Sequence, residues 1–225
     1  MGVVFLCALT IVYFVIRPAE RELRSSSRFG SLGAKLITAD NRPNWVKALL
    51  REVPITKVTS VDLSGTEVTD VELSHLEGFP KLGGLILDDT KIGDAGVQYI
   101  GRATGLVQLG MARTRVTNLR LDGLTRLQSL DLSGNRLTTL SLGRMVNLTS
   151  LNLRSTNIAE LGLSSLEGLS ELKSLDLRDT KISDANLGSL RGLSNLNTLY
   201  LYNTSVTDRG VKTLLLSNPK LAVKR

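Results

Sequence analysis

Cysteine and histidine are almost absent from this chain, which has one of each in 225 residues. A single cysteine excludes a disulfide framework and any zinc site built on several cysteines. A single histidine, His75, removes most imidazole-based catalysis and metal binding. Phosphate-binding, dinucleotide-binding, serine-hydrolase and zinc-protease motifs are absent from the sequence too. We therefore predict that the chain is not an enzyme and takes no cofactor, no metal and no small-molecule substrate.

Aromatic residues are also scarce, at 4% of the chain, whereas leucine is abundant, with 44 residues. This composition is unusual for an ordinary globular core and suggests a coiled coil, a membrane protein or a repeat array. The 20 glycines and five prolines are too many for an uninterrupted coiled coil, since both residues weaken helices. A repeat array and a membrane protein remain as predictions.

The net charge of +7 is unevenly distributed. Residues 1–57 contain nine Lys or Arg against four acids, whereas residues 58–225 contain nineteen against seventeen. A nucleic-acid-binding domain concentrates positive charge on the surface that docks, and the larger segment is close to neutral. We therefore predict no nucleic-acid partner. The excess positive charge directly follows an apolar N-terminus, where it can contact lipid phosphates.

The N-terminus contains a long apolar run, Gly2–Ile16, which is followed by Arg17. As a helix this run spans about 22 Å, short of the roughly 30 Å hydrocarbon core, although Arg17 can snorkel and the bilayer can thin. We predict a transmembrane signal-anchor helix over residues 1–17, with a cleaved signal peptide or a buried cap helix as alternatives. The arginines at 17, 21, 24 and 28 favour a single-pass membrane protein whose repeat domain is cytoplasmic, and the opposite topology stays open.

From Val58 onward the chain repeats itself seven times, and each repeat is called a rung below. The rungs are 21 or 24 residues apart and begin at residues 58, 82, 106, 127, 148, 172 and 196. Each fits L-x-x-L-x-L-x-x-T/N-x-I/V/L, the leucine-rich repeat pattern, in which a short strand buries its leucines. The predicted fold is α/β: a leucine-rich repeat solenoid with a curved parallel sheet over residues 58–225. Residues 18–57 are predicted to form a juxtamembrane linker and an N-terminal cap helix.

Polar residues recur at fixed places within the rungs. Each strand is followed by a threonine, or by Asn135 in the fourth rung, which we expect to bond the turning backbone. An aspartate or asparagine four residues later predicts a helix N-cap at the start of the outer segment. These candidates are Asp70, Asp94, Asn118, Asp184 and Asp208. In the two 21-residue rungs we expect a 3₁₀ or irregular outer segment, because that part of the rung is shorter.

A solenoid exposes apolar surface at both ends, and each end has a candidate cap. Asn44–Val53 predicts a short helix with one apolar face, and we expect Trp45 to cover the first rung. At the other end, Leu221 and Val223 predict one incomplete strand. The basic residues around that strand discourage pairing with a further chain.

After the strand, several rungs contain similar sequence segments: SGTEVTD, DDTKIGDAGV, RDTKISDANL and NTSVTDRGV. Together with Pro43-Asn44-Trp45, these segments resemble leucine-rich repeat proteins of planctomycete bacteria. The resemblance implies an N-terminal anchor, a short linker and an interaction scaffold, and it names no partner. The rungs are also similar to the cysteine-containing class of F-box substrate receptors, although no cysteine occupies them. This similarity makes a substrate-recognition subunit of an enzyme complex the alternative function. It is less favoured than the interaction module, because no F-box-like helical segment is visible in residues 17–57.

The outward strand positions form columns about 4.8 Å apart when rungs stack, so they line one concave face. Tyr and Arg are enriched at binding hot spots, and both occur in these columns. We predict a non-catalytic, membrane-anchored protein–protein interaction module that binds an acidic or mixed peptide surface there. The predicted contact residues are Arg113, Arg154, Asp176, Arg178, Tyr200 and Tyr202. The alternatives are that these positions are soluble filler, or that the tyrosines only shield the last rung.

Overall fold

The computed structural model describes residues 17–39, 57–142, 145–161 and 163–225. The predicted anchor up to Ile16 and the predicted cap helix Asn44–Val53 with Trp45 lie outside these residues, and both stay predictions. Within the part of the chain that the structure describes, no helix combines the length and the hydropathy needed to cross a bilayer.

Short strands dominate the described chain. They are β1 (Lys35–Ala39), β2 (Lys57–Asp62), β3 (Gly84–Ile86), β4 (Gln108–Gly110), β5 (Asn118–Arg120), β6 (Ser129–Asp131), β7 (Thr139–Ser141), β8 (Ser150–Asn152), β9 (Ser174–Asp176), β10 (Thr198–Tyr200) and β11 (Ala222–Lys224). Nine strands form one sheet in the order β1-β2-β3-β4-β6-β8-β9-β10-β11. All neighbours in it are parallel except β1 and β2, and β5 and β7 form a separate parallel pair.

The register of this sheet confirms the predicted repeat spacing. The central residues of successive parallel strands are paired across the sheet: Val61, Leu85, Leu109, Leu130, Leu151, Leu175, Leu199 and Val223. Side chains alternate along a strand, so these residues face the core and their neighbours face solvent. The pairing of Leu199 with Val223 also confirms the incomplete strand at the C-terminal end.

The core is a continuous column of leucines that passes from rung to rung. In the second rung, Leu85 and Leu87 from the strand, Ile92 from the loop and Ile100 from the outer helix are all fully buried. Burial of each such side chain contributes about 1.5–3 kcal/mol to stability. No rung can bury this surface alone, so stacking is the source of the fold.

The outer segments differ between the long and the short rungs. The described helices are α1 (Arg17–Ser31), α2 (Asp94–Arg102), α3 (Ile158–Leu161) and α4 (Asp208–Ser217), with 3₁₀ helices at Glu72–Gly78, Leu163–Leu166 and Asp184–Gly192. The two 21-residue rungs contain β5 and β7 instead, so the expected 3₁₀ or irregular segment was wrong. Buried Leu119 and Leu121 alternate with exposed residues there, which is a strand pattern.

None of the five predicted residues is a helix N-cap. Asp94, Asp184 and Asp208 are the first residues of their helices, Asn118 begins the strand β5, and Asp70 lies one residue before the N-cap position. The N-cap positions belong to Val71, Gly93, Ser183 and Thr207. For Asp70, Asp94 and Asp184 the prediction was wrong because their carboxylates bond the next rung instead of their own helix.

Two aspartates illustrate these bonds between rungs. Asp94 Oδ1 accepts hydrogen bonds from the backbone N–H groups of Thr117 and Asn118 at 2.7 and 2.9 Å. Asp184 Oδ1 accepts from the N–H of Thr207 at 2.8 Å. Burial disfavours the ionised form of Asp94, but the bonds from Asn118 and Thr117 outweigh it and hold its pKa below the usual range. The bonds from Thr207 likewise lower the pKa of Asp184. Each carboxylate therefore ties one loop to the following one.

The threonine column bonds the turning backbone, as predicted, but mostly within its own rung. The hydroxyl groups of Thr90 and Thr180 donate to the carbonyl groups three residues earlier, both at 2.6 Å. The buried exception, Asn135, bridges two rungs. Its Nδ2 donates to the Met111 carbonyl at 2.7 Å, and its Oδ1 accepts from the N–H of Thr114 at 2.9 Å. Within this column, the bonds between rungs are therefore made at Asn135, with Thr114 as one of its donors.

A helix and a strand cover the first rung where the sequence predicted a linker. The strand β1 pairs antiparallel with β2, which closes that edge of the sheet. From α1, fully buried Phe29 stacks on Phe79 with ring centroids 5.7 Å apart and meets the edge of His75 at 6.2 Å. Arg28 adds an ion pair with Glu72 at 3.3 Å. The described cap of the solenoid is therefore α1 with β1.

Candidate functional site on the concave face

The concave face is the solvent side of the parallel sheet. Strands lie about 4.8 Å apart, whereas packed helices need about 8–10 Å, so the rungs spread on the helical side and the sheet lines the inner curve. Asp131, Asn152, Asp176 and Tyr200 are successive partners across the sheet. This pairing confirms that outward strand positions align into a column across the rungs.

Five of the six predicted contact residues lie together in the fifth, sixth and seventh rungs. We name this set the Tyr–Arg patch: Arg154, Asp176, Arg178, Tyr200 and Tyr202. Tyr202 exposes 66% of its surface, which is unusual for a large side chain of this domain. The guanidinium carbon of Arg178 lies 5.3 Å from the ring centroid of Tyr200. The patch is thus an aromatic platform with a cation stacked on one ring.

The sixth predicted residue, Arg113, does not belong to the patch. It lies in the third rung, two rungs before Arg154, where its Nε and Nη2 each donate to Asp89 at 2.6 Å. Equivalent positions two rungs apart are separated by about 10 Å. Arg113 therefore stiffens the N-terminal half of the face and adds nothing to the platform.

The arginines of the patch are paired with aspartates. Arg178 Nε and Nη2 donate to Asp176 Oδ2 at 2.9 and 2.5 Å. Arg154 Nε donates to Asp179 Oδ2 at 2.7 Å, and Asn203 Nδ2 donates to the other oxygen at 2.9 Å. The bonds from Asn203 and Arg154 hold the pKa of Asp179 below its usual range. Two positive and two negative groups therefore cancel across the patch.

Asp179 and Asn203 were not predicted as part of the site. Both lie in the column nearest the loops, which has left-handed backbone in all seven rungs. The φ angles are 68° at Gly65, 57° at Asp89, 50° at Arg113, 72° at Gly134, 54° at Ser155, 56° at Asp179 and 55° at Asn203. Apart from glycine, Asp and Asn tolerate this conformation best. Backbone geometry thus favours a carboxylate beside the arginines.

The N-terminal half of the concave face is acidic and less accessible. Asp88 Oδ1 accepts from the N–H of Ala112 at 2.8 Å, and burial raises the pKa of this carboxyl. The hydroxyl of Ser64 holds the pKa of Asp62 below its usual range. Among the described residues, no group of three His, Cys, Asp or Glu side chains could hold a metal ion. Here the acidic groups Asp62 and Asp88 have partners within the domain.

Two leucine-rich repeat family models match the chain, one over residues 146–206 and one over residues 126–145. These matches agree with the stacked rungs: residues 126–206 contain leucine-rich repeats, and the described domain has the leucine-rich repeat fold. No curated protein matches the chain significantly.

Solved structures share the fold. An internalin C2 from Listeria monocytogenes is 26% identical, with a TM-score of 0.63 over 74% of this chain and 70% of the internalin. A second internalin of that species, inlF, is 22% identical with a TM-score of 0.63, over 80% of this chain and 53% of its own. The ectodomain of the Arabidopsis thaliana membrane receptor kinase GASSHO1/SCHENGEN3 is 18% identical with a TM-score of 0.53, over 76% of this chain and 24% of its own. The chain thus spans about half of inlF and about a quarter of the receptor chain.

Proposed function

We propose that this chain binds a protein partner through the Tyr–Arg patch of its concave face. The observation that supports this most is the exposure of 66% of Tyr202 beside Tyr200, at the concave face. Among the described residues, the other large apolar side chains that are exposed, Val71, Val146 and Leu216, lie in loops and outer segments. Leucine-rich repeat domains bind protein partners, and Tyr and Arg are the side chains most enriched at binding hot spots. The structure of the GASSHO1/SCHENGEN3 ectodomain contains such a partner, CASPARIAN STRIP INTEGRITY FACTOR 2, which is a fact about that receptor.

The ion pairs change the partner that the sequence suggested. An acidic peptide would have to displace Asp176 or Asp179 from the arginines they already bond. A neutral segment can stack on Tyr202 and hydrogen-bond the remaining donors without breaking either pair. We therefore propose a largely neutral peptide segment, whose affinity changes little with salt because no net charge is neutralised.

Replacing both tyrosines by serine tests the docking site. Peptides are first selected from a random display library on the immobilised wild-type chain. We expect Tyr200→Ser/Tyr202→Ser to weaken their binding at least about tenfold, because the stacking surface is lost. The melting temperature should move by less than about 2 °C, because Tyr202 is exposed and Tyr200 half-exposed, so little buried surface is lost. Peptide binding is measured by interferometry and the melting temperature by calorimetry.

Tyr99→Ser is the matched control for this experiment. Tyr99 lies on α2, outside the concave face, and also has an arginine over its ring, with Arg102 at 5.7 Å. The control should leave peptide binding unchanged. If binding survives the double substitution while the melting temperature falls by several degrees, the tyrosines only shield the last rung and the site lies elsewhere.

Attachment to a membrane is the second part of the proposal. It is supported by the apolar run Gly2–Ile16 and by the arginines that follow it, the arrangement implied by the likeness to planctomycete proteins. The helix α1 begins at Arg17, directly after that run, and packs on the first rung. A repeat domain attached in this way would be held close to the bilayer.

Carbonate extraction tests the anchor. The full chain should stay with the membrane pellet at alkaline pH, because a spanning helix is held by the hydrophobic effect and not by charge. A chain that lacks residues 1–16 should move to the supernatant while it keeps its folded repeat domain. Recovery of the full chain in the supernatant would contradict the anchor.

The alternative of a substrate-recognition subunit has lost one argument against it. It ranks lower on the sequence because no F-box-like helical segment is visible in residues 17–57. The structure contains the helix α1 there. However, α1 uses Phe29 to cover the first rung, as expected for a cap. No observation on the described residues favours this alternative over the interaction module.

A further inference from the structure

A second surface lies at the edge of the solenoid where each strand turns toward its outer segment. The residue after the threonine column is basic in four of the rungs from the second to the sixth, and we name these four the basic edge. They are Lys91, Arg115, Arg136 and Lys181, and Asn157 occupies the remaining rung. All four basic residues are exposed. This row is separate from the Tyr–Arg patch and its argument does not depend on that site.

Arg115 and Arg136 are the centre of this row. They are equivalent residues of adjacent rungs, and buried Asn135 clamps the two loops just before them through its bond to Thr114. Equivalent positions in adjacent rungs lie about 4.8 Å apart. The structure therefore places two positive side chains next to each other on a rigid support.

Neither of these two guanidinium groups has an ion-pair partner among the residues that the structure describes. This separates them from the arginines of the concave face, because Arg113, Arg154 and Arg178 are each paired with an aspartate. Two adjacent like charges repel each other, and a bound anion would relieve that repulsion. The three arginines of the concave face are thus neutralised by aspartates. The two arginines at the centre of the basic edge are not neutralised by any residue in the described part of the chain.

A polar hollow of about 460 Å³ continues from Arg136 along the same edge. Asn157 and Lys181 line it, with half-buried Ala159 at its side. The Asn157 amide bonds both the N–H and the carbonyl group of Leu137, at 2.9 and 2.7 Å, so it is held in place. The hollow is lined by residues of the fourth, fifth and sixth rungs, and Asp179 is among them. We name the row together with this hollow the groove.

We propose that the basic edge binds an extended acidic peptide segment of a protein partner. Guanidinium groups bind carboxylates in a bidentate manner, which favours arginine at the centre of such a site. In an extended peptide every second side chain points the same way, about 6.7 Å apart, and flexible arginine side chains on adjacent rungs can span that distance.

A nucleic acid fits this edge less well than a peptide. The basic residues form a row only one residue wide. Residues 58–225 have a net charge of only +2, nineteen basic against seventeen acidic residues, so the domain lacks the broad positive surface that a duplex needs. The groove therefore suits a single extended chain with spaced negative groups.

The test uses the full chain and a short fluorescein-labelled peptide of alternating Glu and Ser, with binding followed by fluorescence anisotropy. Arg115→Gln/Arg136→Gln should weaken binding at least about tenfold and flatten its dependence on salt. The control, Arg120→Gln/Arg126→Gln, removes the same charge from exposed positions outside the groove and should change affinity less than about twofold. Tyr200→Ser/Tyr202→Ser should leave this binding unchanged, which separates this site from the Tyr–Arg patch.

Three outcomes would overturn the proposal. Absence of binding to the wild-type chain would show that the edge does not bind acidic peptides. Equal losses in the two arginine pairs would show that binding follows net charge and has no site. Tighter binding of a single-stranded oligonucleotide than of the peptide, lost in the Arg115 and Arg136 variant, would assign the edge to nucleic acid.

Discussion

Replacing Leu130 by alanine is expected to lower the free energy of unfolding by about 2–5 kcal/mol. Leu130 is the central residue of β6, is 1% exposed, and is paired across the sheet with Leu109 and Leu151. Truncation removes apolar contacts and leaves a cavity that neighbouring rungs on both sides cannot fill. Urea denaturation followed by circular dichroism measures the loss.

Ser129→Ala is the control for that substitution. Ser129 is the neighbour of Leu130 in β6 but points to the concave face, where it is half-exposed. Its replacement should cost well under about 1 kcal/mol, as for most surface positions. Equal losses for the two variants would mean that the inward and outward positions of the strand have been assigned wrongly.

Phe29→Ala should cost about 3–5 kcal/mol at the N-terminal end of the solenoid. Phe29 is fully buried, and its ring joins α1 to Phe79 and His75 of the first rung. Because each rung contacts only its neighbours, loss of this contact should open the first rungs before the last. Hydrogen exchange should therefore accelerate in β2 and β3 far more than in β10.

Leu216→Ala is the contrasting variant, since Leu216 is 84% exposed on α4 and its truncation should change stability little. If Phe29→Ala leaves hydrogen exchange in β2 unchanged, α1 does not act as the cap. If β2 and β10 exchange faster by the same factor, the solenoid unfolds as one unit.

The repeat domain could be predicted from the sequence because its two signals agree. The leucine spacing defines the rungs, and the alternation around residues such as Leu130 and Leu175 defines which side of each strand is buried. Register follows directly, since a slip by one residue would expose every leucine. The columns of the concave face follow from the register, which is why Tyr200 and Asp176 could be placed side by side.

The cap and the short outer sheet could not be predicted in the same way. The residues of α1 and β1 lie outside the repeat, so no periodicity gave their position, and Phe29 is an isolated aromatic in a polar segment. For β5 and β7 the sequence does contain a strand pattern. A single polar residue separates Leu119 from Leu121, and another separates Leu140 from Leu142. The alternation was outweighed by the expectation of a helical outer segment.

The ion pairs of the Tyr–Arg patch depend on side-chain direction, which a column of residues does not define. Arg154 bonds Asp179 of the next rung, whereas Arg178 bonds Asp176 two residues before it. The same column could equally have held two uncompensated cations. This difference changes the proposed partner from an acidic or mixed peptide surface to a neutral segment.

Photo-crosslinking tests the proposed docking site most directly. A benzoylphenylalanine at Ser174, on the concave face of β9, is compared with one at exposed Glu167 in the outer part of the fifth rung, using a library-selected peptide as the probe. The proposal predicts that the peptide crosslinks to position 174 and not to 167, and that Tyr200→Ser/Tyr202→Ser abolishes the product. Crosslinking at 167 alone, or at 174 despite the substitutions, would contradict docking on the Tyr–Arg patch.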